Sequence, residues 1–131
     1  MERRVINPWT WQDAMGFVQG NEIQGAQKVL MLAGQTSVDA DGAPQHAGDM
    51  RAQVGMALDN VEAVLHQAGF TLADVMRLNI YTTDVDAFFE AYDVLMGRMG
   101  EAGGRSAGTL LGVSRLAFPE LMVELEATAV K

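Results

Sequence analysis

Two carboxylates and one arginine near the C-terminal end have the types and spacing for chemistry. Glu124 and Glu126 lie in Val123-Glu124-Leu125-Glu126-Ala127, and residues two apart on a strand project from one face. A carboxylate shielded beside another holds its proton more tightly, which suits acid–base work on a bound water. The alternative is a solvated strand face carrying ordinary surface charge, with Glu126 the more structural of the two. Arg105 lies in Gly103-Gly104-Arg105-Ser106-Ala107-Gly108-Thr109. Glycines there permit close approach, and a guanidinium can grip a carboxylate through two parallel hydrogen bonds. The alternative is an exposed loop arginine, and alternation does not decide, because Arg105 precedes its strand.

Other chemistries find little support. There is no cysteine, and the two histidines, His46 and His66, stand far apart outside any ligand cluster, so no metal is expected. Asp39 and Asp41 lack the remaining spacing of a calcium loop. No Ser-His-Asp order, phosphate loop or dinucleotide fingerprint is present, and no cofactor is expected. Trp9 and Trp11 either line a cleft or pack an N-terminal arm, and the nine methionines mostly fall on expected apolar faces and read as core. The formal charge of −8 argues against nucleic acid, since phosphate binding needs clustered Lys and Arg.

The 131 residues make one domain, residues 1–131, 49% hydrophobic and 20% charged, the mix of a soluble globular protein. No apolar run approaches the roughly 18–20 residues of a membrane span, and the polar start does not resemble a secretory leader. The expected location is cytoplasmic.

These residues need a scaffold. Strands are expected over 15–24 and 28–33. Asp49 caps a helix to about Ala68, with Val54, Ala57, Val61, Val64 and Leu65 on one stripe and Gly69 closing it. Residues 73–82 alternate, with Met76, Leu78 and Ile80 opposite Arg77, Asn79 and Tyr81. A second helix spans about 84–99, and strands at 107–116 and 121–130 finish the chain. The order β-β-α-β-α-β-β predicts an α+β sandwich, a mixed β-sheet with two helices on one face. Leu30, Leu32 and the last strands leave apolar surface on the other face, which predicts an oligomer.

Several stretches resemble, in order, the Rid (YjgF/YER057c/UK114) family. Gly16-Phe17-Val18-Gln19-Gly20 is similar to its G-P-Y-x-Q-(A/G) opening, and Leu32-Ala33-Gly34-Gln35 to its V-S-G-Q strand end. Leu58-Asp59-Asn60-Val61 with Gln67-Ala68-Gly69 resembles its long helix, and residues 123–127 its V-E-(I/V)-E-A terminus. The resemblance implies a chorismate-mutase-like homotrimer: a barrel of three sheets with helices outside and a small-molecule cleft between each pair of subunits. It also implies cofactor-free hydrolysis (deamination) of reactive imines or enamines. In the deaminating branch an arginine grips the substrate carboxylate and a glutamate orients water.

Carried onto this chain, the resemblance places Glu124 at the glutamate. Gly108 falls at the arginine, with Thr109 beside it, when residues 111–116 are set on V-G-V-A-R-L. Phe17 replaces the pocket tyrosine, Ala33 replaces the serine, and Tyr92 falls near an asparagine of some members. A carboxylate-bearing substrate would lose an interaction worth about 1.5–3 kcal/mol unless Arg105 or Arg115 supplies it. The expectation is therefore an imine/enamine hydrolase with a less polar pocket, the alternative being a catalytically inactive small-molecule-binding or regulatory trimer.

Overall fold

Alternation of buried and half-buried residues along residues 123–129 of the last strand organises the molecule. The computed structural model describes residues 1–131. Its strands are β1 (Glu2–Ile6), β2 (Gly20–Gln24), β3 (Val29–Met31), β4 (Val75–Thr82), β5 (Leu110–Gly112) and β6 (Val123–Val130). Its helices are α1 (Met50–Gln67), α2 (Val85–Glu90) and α3 (Tyr92–Glu101). A four-stranded sheet runs β3-β6-β4-β5, with β4–β5 parallel and the other pairs antiparallel. β1 and β2 form a separate antiparallel ribbon.

The core lies between one sheet face and the helices. Val54, Leu58, Val61 and Leu65 of α1 pack with Val123, Leu125, Ala127 and Ala129 of β6, joined by Phe88, Leu95 and Met99. Asp49 starts α1 as its composition suggests: its Oδ1 accepts from the Ala52 N–H at 3.0 Å, satisfying a free amide of the first turn. Asp49→Ala is expected to cost about 1 kcal/mol, seen as a thermal midpoint a few degrees lower.

The α+β class, the mixed sheet and the helix-covered face agree with expectation, while several details differ. The strand expected over 15–24 begins at Gly20, because residues 13–15 form a 3-10 turn that Gly16 ends with φ 80°. The N-terminal residues, expected only as an arm, supply β1 and a second sheet. The single helix expected over 84–99 breaks at Ala91, for which neither glycine nor proline offers a cause. The strand expected over 107–116 pairs in β5 only across Leu110–Gly112.

The uncovered face also differs. Leu32 is buried in the core and Leu30 packs against it, because Leu30 pairs with Ala129 on the helix side. The open face instead carries Arg77, Asn79, Tyr81, Glu124, Glu126 and Thr128, paired Arg77–Thr128, Asn79–Glu126 and Tyr81–Glu124. Exposed Met31 and Leu111 flank this polar centre.

Candidate functional site

Four of the expected site residues meet at one cavity. Phe17, Tyr92, Gly108 and Thr109 line a space of about 210 Å³ on the helix side of the sheet. The strands contribute Leu78, Ile80 and Leu110, the helices contribute Phe88, Phe89, Leu95, Met96 and Met99, and Ser106 closes the wall. The turn bearing Phe17 is clasped to α3. The Tyr92 hydroxyl donates to the Met15 carbonyl at 2.5 Å, and a Cβ at Gly16 would come within 2.9 Å of Met96 Cγ. Trp11 meets Phe17 edge-on at 5.8 Å, and Phe88 meets Tyr92 at 5.9 Å, both favourable ring geometries. Burial raises the Tyr92 phenol above its ordinary range, so it stays neutral. No charged side chain enters the wall.

Gly108 is a site of steric exclusion. A Cβ built there would overlap the Leu78 carbonyl oxygen and lie 2.8 Å from its carbon. The chain passes this closely because residues 107–109 run beside β4: the Ala107 carbonyl accepts from Leu78 N–H at 2.8 Å and the Thr109 carbonyl from Ile80 N–H at 2.9 Å. The backbone leaves room for no side chain at residue 108, where the resemblance would place an arginine.

Arg105 stands outside the cavity wall, exposed. Its carbonyl accepts from the Arg3 guanidinium and from Asn21 Nδ2, the latter at 3.0 Å, which fastens the loop to the β1–β2 ribbon. Partial burial, with Arg105 nearby, lowers the Arg3 pKa from its ordinary value. Arg115 lies elsewhere, donating to the Leu116 carbonyl of its own loop at 3.2 Å. The structure thus puts neither arginine in the wall of the cavity.

Glu124 projects from the open face, opposite the cavity, since its partner Tyr81 alternates with the cavity residue Ile80. Its carboxylate rests on Gly34, where a Cβ would overlap Oε2 and come within 2.6 Å of Cδ. Ala33 is exposed beside it. Glu126 is committed differently: its Oε1 accepts from Asn79 Nδ2 at 3.0 Å and Tyr81 OH at 2.9 Å. Those donors, Asn79 first, lower the Glu126 pKa, and the bond to Glu126 raises that of Tyr81. Glu126 is therefore the structural member of the pair, ionised rather than proton-holding.

The Phe88–Phe89–Met96 wall, the Gly34 seat and the Asn79–Tyr81–Glu126 network were not singled out as site features from the sequence. Alternation in β4 set Asn79 and Tyr81 on one face, but only the register with β6 brings them to Glu126.

The family model described as Endoribonuclease L-PSP matches residues 12–131, nearly the whole chain. The chain belongs to the Rid (YjgF/YER057c/UK114) family. Among Rid relatives, the RutC family protein PH0854 of Pyrococcus horikoshii is 32% identical over 106 residues, 81% of this chain and 82% of the relative. The Rid protein YyfB of Yersinia pestis superposes with a TM-score of 0.88 at 38% identity, covering 100% of both chains. Escherichia coli TdcF, solved with bound serine, superposes with a TM-score of 0.71 at 26% identity over 88% of this chain and 87% of its own.

Proposed function

We propose that this Rid protein hydrolyses a small imine or enamine, without a cofactor, at a site that two copies of the chain build together. One observation carries the reading. The cavity with Phe17, Tyr92, Gly108 and Thr109 and the ledge with Ala33, Gly34 and Glu124 lie on opposite faces of one sheet. A single protomer cannot bring them together, whereas a closed ring of copies can set one protomer's ledge over the next one's cavity. A homotrimer with three such clefts fits this arrangement. Cytoplasmic metabolism is a fitting setting, and no helix is long and apolar enough to cross a membrane.

In this site the cavity holds the carbon skeleton and Glu124 takes a proton from water as the oxygen adds to the C=N carbon. Glu124 returns that proton to the nitrogen, giving a neutral carbinolamine, and then relays the hydroxyl proton to the nitrogen as the C–N bond breaks, so that a carbonyl forms and ammonia leaves. Glu124 cycles between carboxylate and acid, so atoms and charge balance without a redox partner. The endoribonuclease activity named in the family description is not carried over, because a chain of net charge −8 is poorly suited to a polyphosphate backbone.

The test is ammonia release from imines generated in solution, carboxylate-bearing and uncharged, with and without the protein. Acceleration is expected and should vanish in Glu124→Gln and in the cavity-filling Met96→Trp. Co-expressed as mixed trimers, those two inactive variants should regain about a quarter of wild-type activity, because that share of sites pairs an intact cavity with an intact glutamate. No regain would exclude the shared site.

A second reading is a non-catalytic ligand-binding trimer, favoured by a cavity wall whose single titratable group, Tyr92, stays neutral. Saturable binding with no ammonia release from any imine would select it.

A further inference from the structure

We infer that the cavity takes a neutral compound built on a single aromatic ring with a short uncharged arm, in preference to amino-acid-derived imines bearing a carboxylate. The inference rests on the cavity being the ligand site proposed above, but binding and turnover are read separately.

Size sets the first limit. An apolar cavity of about 150 Å³ accommodates benzene, so about 210 Å³ leaves room for one ring and a few further atoms. Shape and surface set the second. Phe17, Phe88, Phe89 and Tyr92 offer ring edges and faces, and such partners favour a flat aromatic ligand over an aliphatic one of equal volume. Trp11, 62% exposed and edge-on to Phe17, extends this aromatic surface beyond the cavity.

Charge sets the third limit. The polar side chains in the wall are hydroxyls, those of Tyr92, Ser106 and Thr109. They can bond a neutral arm but cannot replace the hydration of an anion. Residue 108 cannot supply a cation to offset this, because a Cβ there would overlap the Leu78 carbonyl oxygen. The Glu124 of an adjoining copy would add a like charge against any carboxylate. The absent arginine is thus part of a pocket fitted to neutral ligands, not a single lost contact.

The test uses 4-fluorophenylacetamide and 4-fluorophenylacetate, equal in size and differing in charge, followed by fluorine NMR against the wild-type protein. The amide is expected to bind saturably and the carboxylate about ten- to a hundredfold more weakly. Met96→Trp, checked for folding by circular dichroism, should abolish amide binding, whereas Glu124→Gln should retain it. Equal or tighter binding of the carboxylate, binding of neither probe, or amide binding unaffected by Met96→Trp would each overturn the inference. Hydrolysis of aliphatic imines without aryl binding would sink this inference alone. Aryl binding without hydrolysis of any imine would sink the hydrolase reading alone.

Discussion

Replacing Gly108 with arginine is expected to break the β4–β5 edge and to bring no gain in the binding of carboxylate-bearing substrates. The first atom of any side chain at 108 meets the Leu78 carbonyl, which is backbone in a central strand. Backbone cannot swing aside as a side-chain tip can, so the strain spreads through the Leu78–Ala107 and Ile80–Thr109 hydrogen bonds. Gly108→Ala isolates this term. Overpacking of this kind typically costs about 1–3 kcal/mol, and here the upper end is expected. For a domain of this size about 3 kcal/mol lowers the thermal midpoint by roughly 10 °C. A Gly108→Ala protein as stable as wild type would refute the account, and a stable Gly108→Arg protein that hydrolyses imino acids would refute it more strongly.

Gly34→Ala should do the opposite: little loss of stability and a large loss of turnover. The added methyl collides with the end of the Glu124 side chain, which can rotate away into solvent. The fold is then spared while the carboxylate leaves its seat. Glu124→Gln is expected to lower kcat by about a hundredfold or more, the usual range for removing a general base. Gly34→Ala should fall short of that but exceed tenfold, since a displacement near 1 Å can cost about a hundredfold. Gly34 acts here as a positioning residue, so kcat should fall while KM stays put. The double variant should be no slower than Glu124→Gln alone, because there is then no base left to misplace. Additive losses would mean that Gly34 acts through something other than Glu124.

The contrast between these glycines marks how far the sequence could be read. Periodicity found α1 and its Asp49 cap because both depend on neighbours within a few residues. Period-two alternation found β4 for the same reason. Gathering Phe17, Tyr92, Gly108 and Thr109 into one set came from the family resemblance, and their shared cavity is visible only in the fold. What stayed hidden depends on register. Nothing local says that Asn79 faces Glu126, that Leu78 crowds residue 108, or that Gly34 lies beneath Glu124. The polar character of the open face was missed likewise, because Leu30 and Leu32 read as surplus apolar surface until their pairing with β6 turned them inward. β1 was missed because its short charged run, Glu2-Arg3-Arg4-Val5-Ile6, looks like a strand only beside β2.

If the proposed shared site is right, the placement of ledge and cavity on opposite faces of one sheet would make this protein's catalytic capacity depend on its own abundance. Each working centre would exist only while copies are associated, so the fraction of competent centres follows mass action. Freshly made or dispersed chains would be inert, and specific activity would climb with protein concentration before levelling off. The cell would then control this chemistry through expression level alone, with a threshold set by subunit affinity.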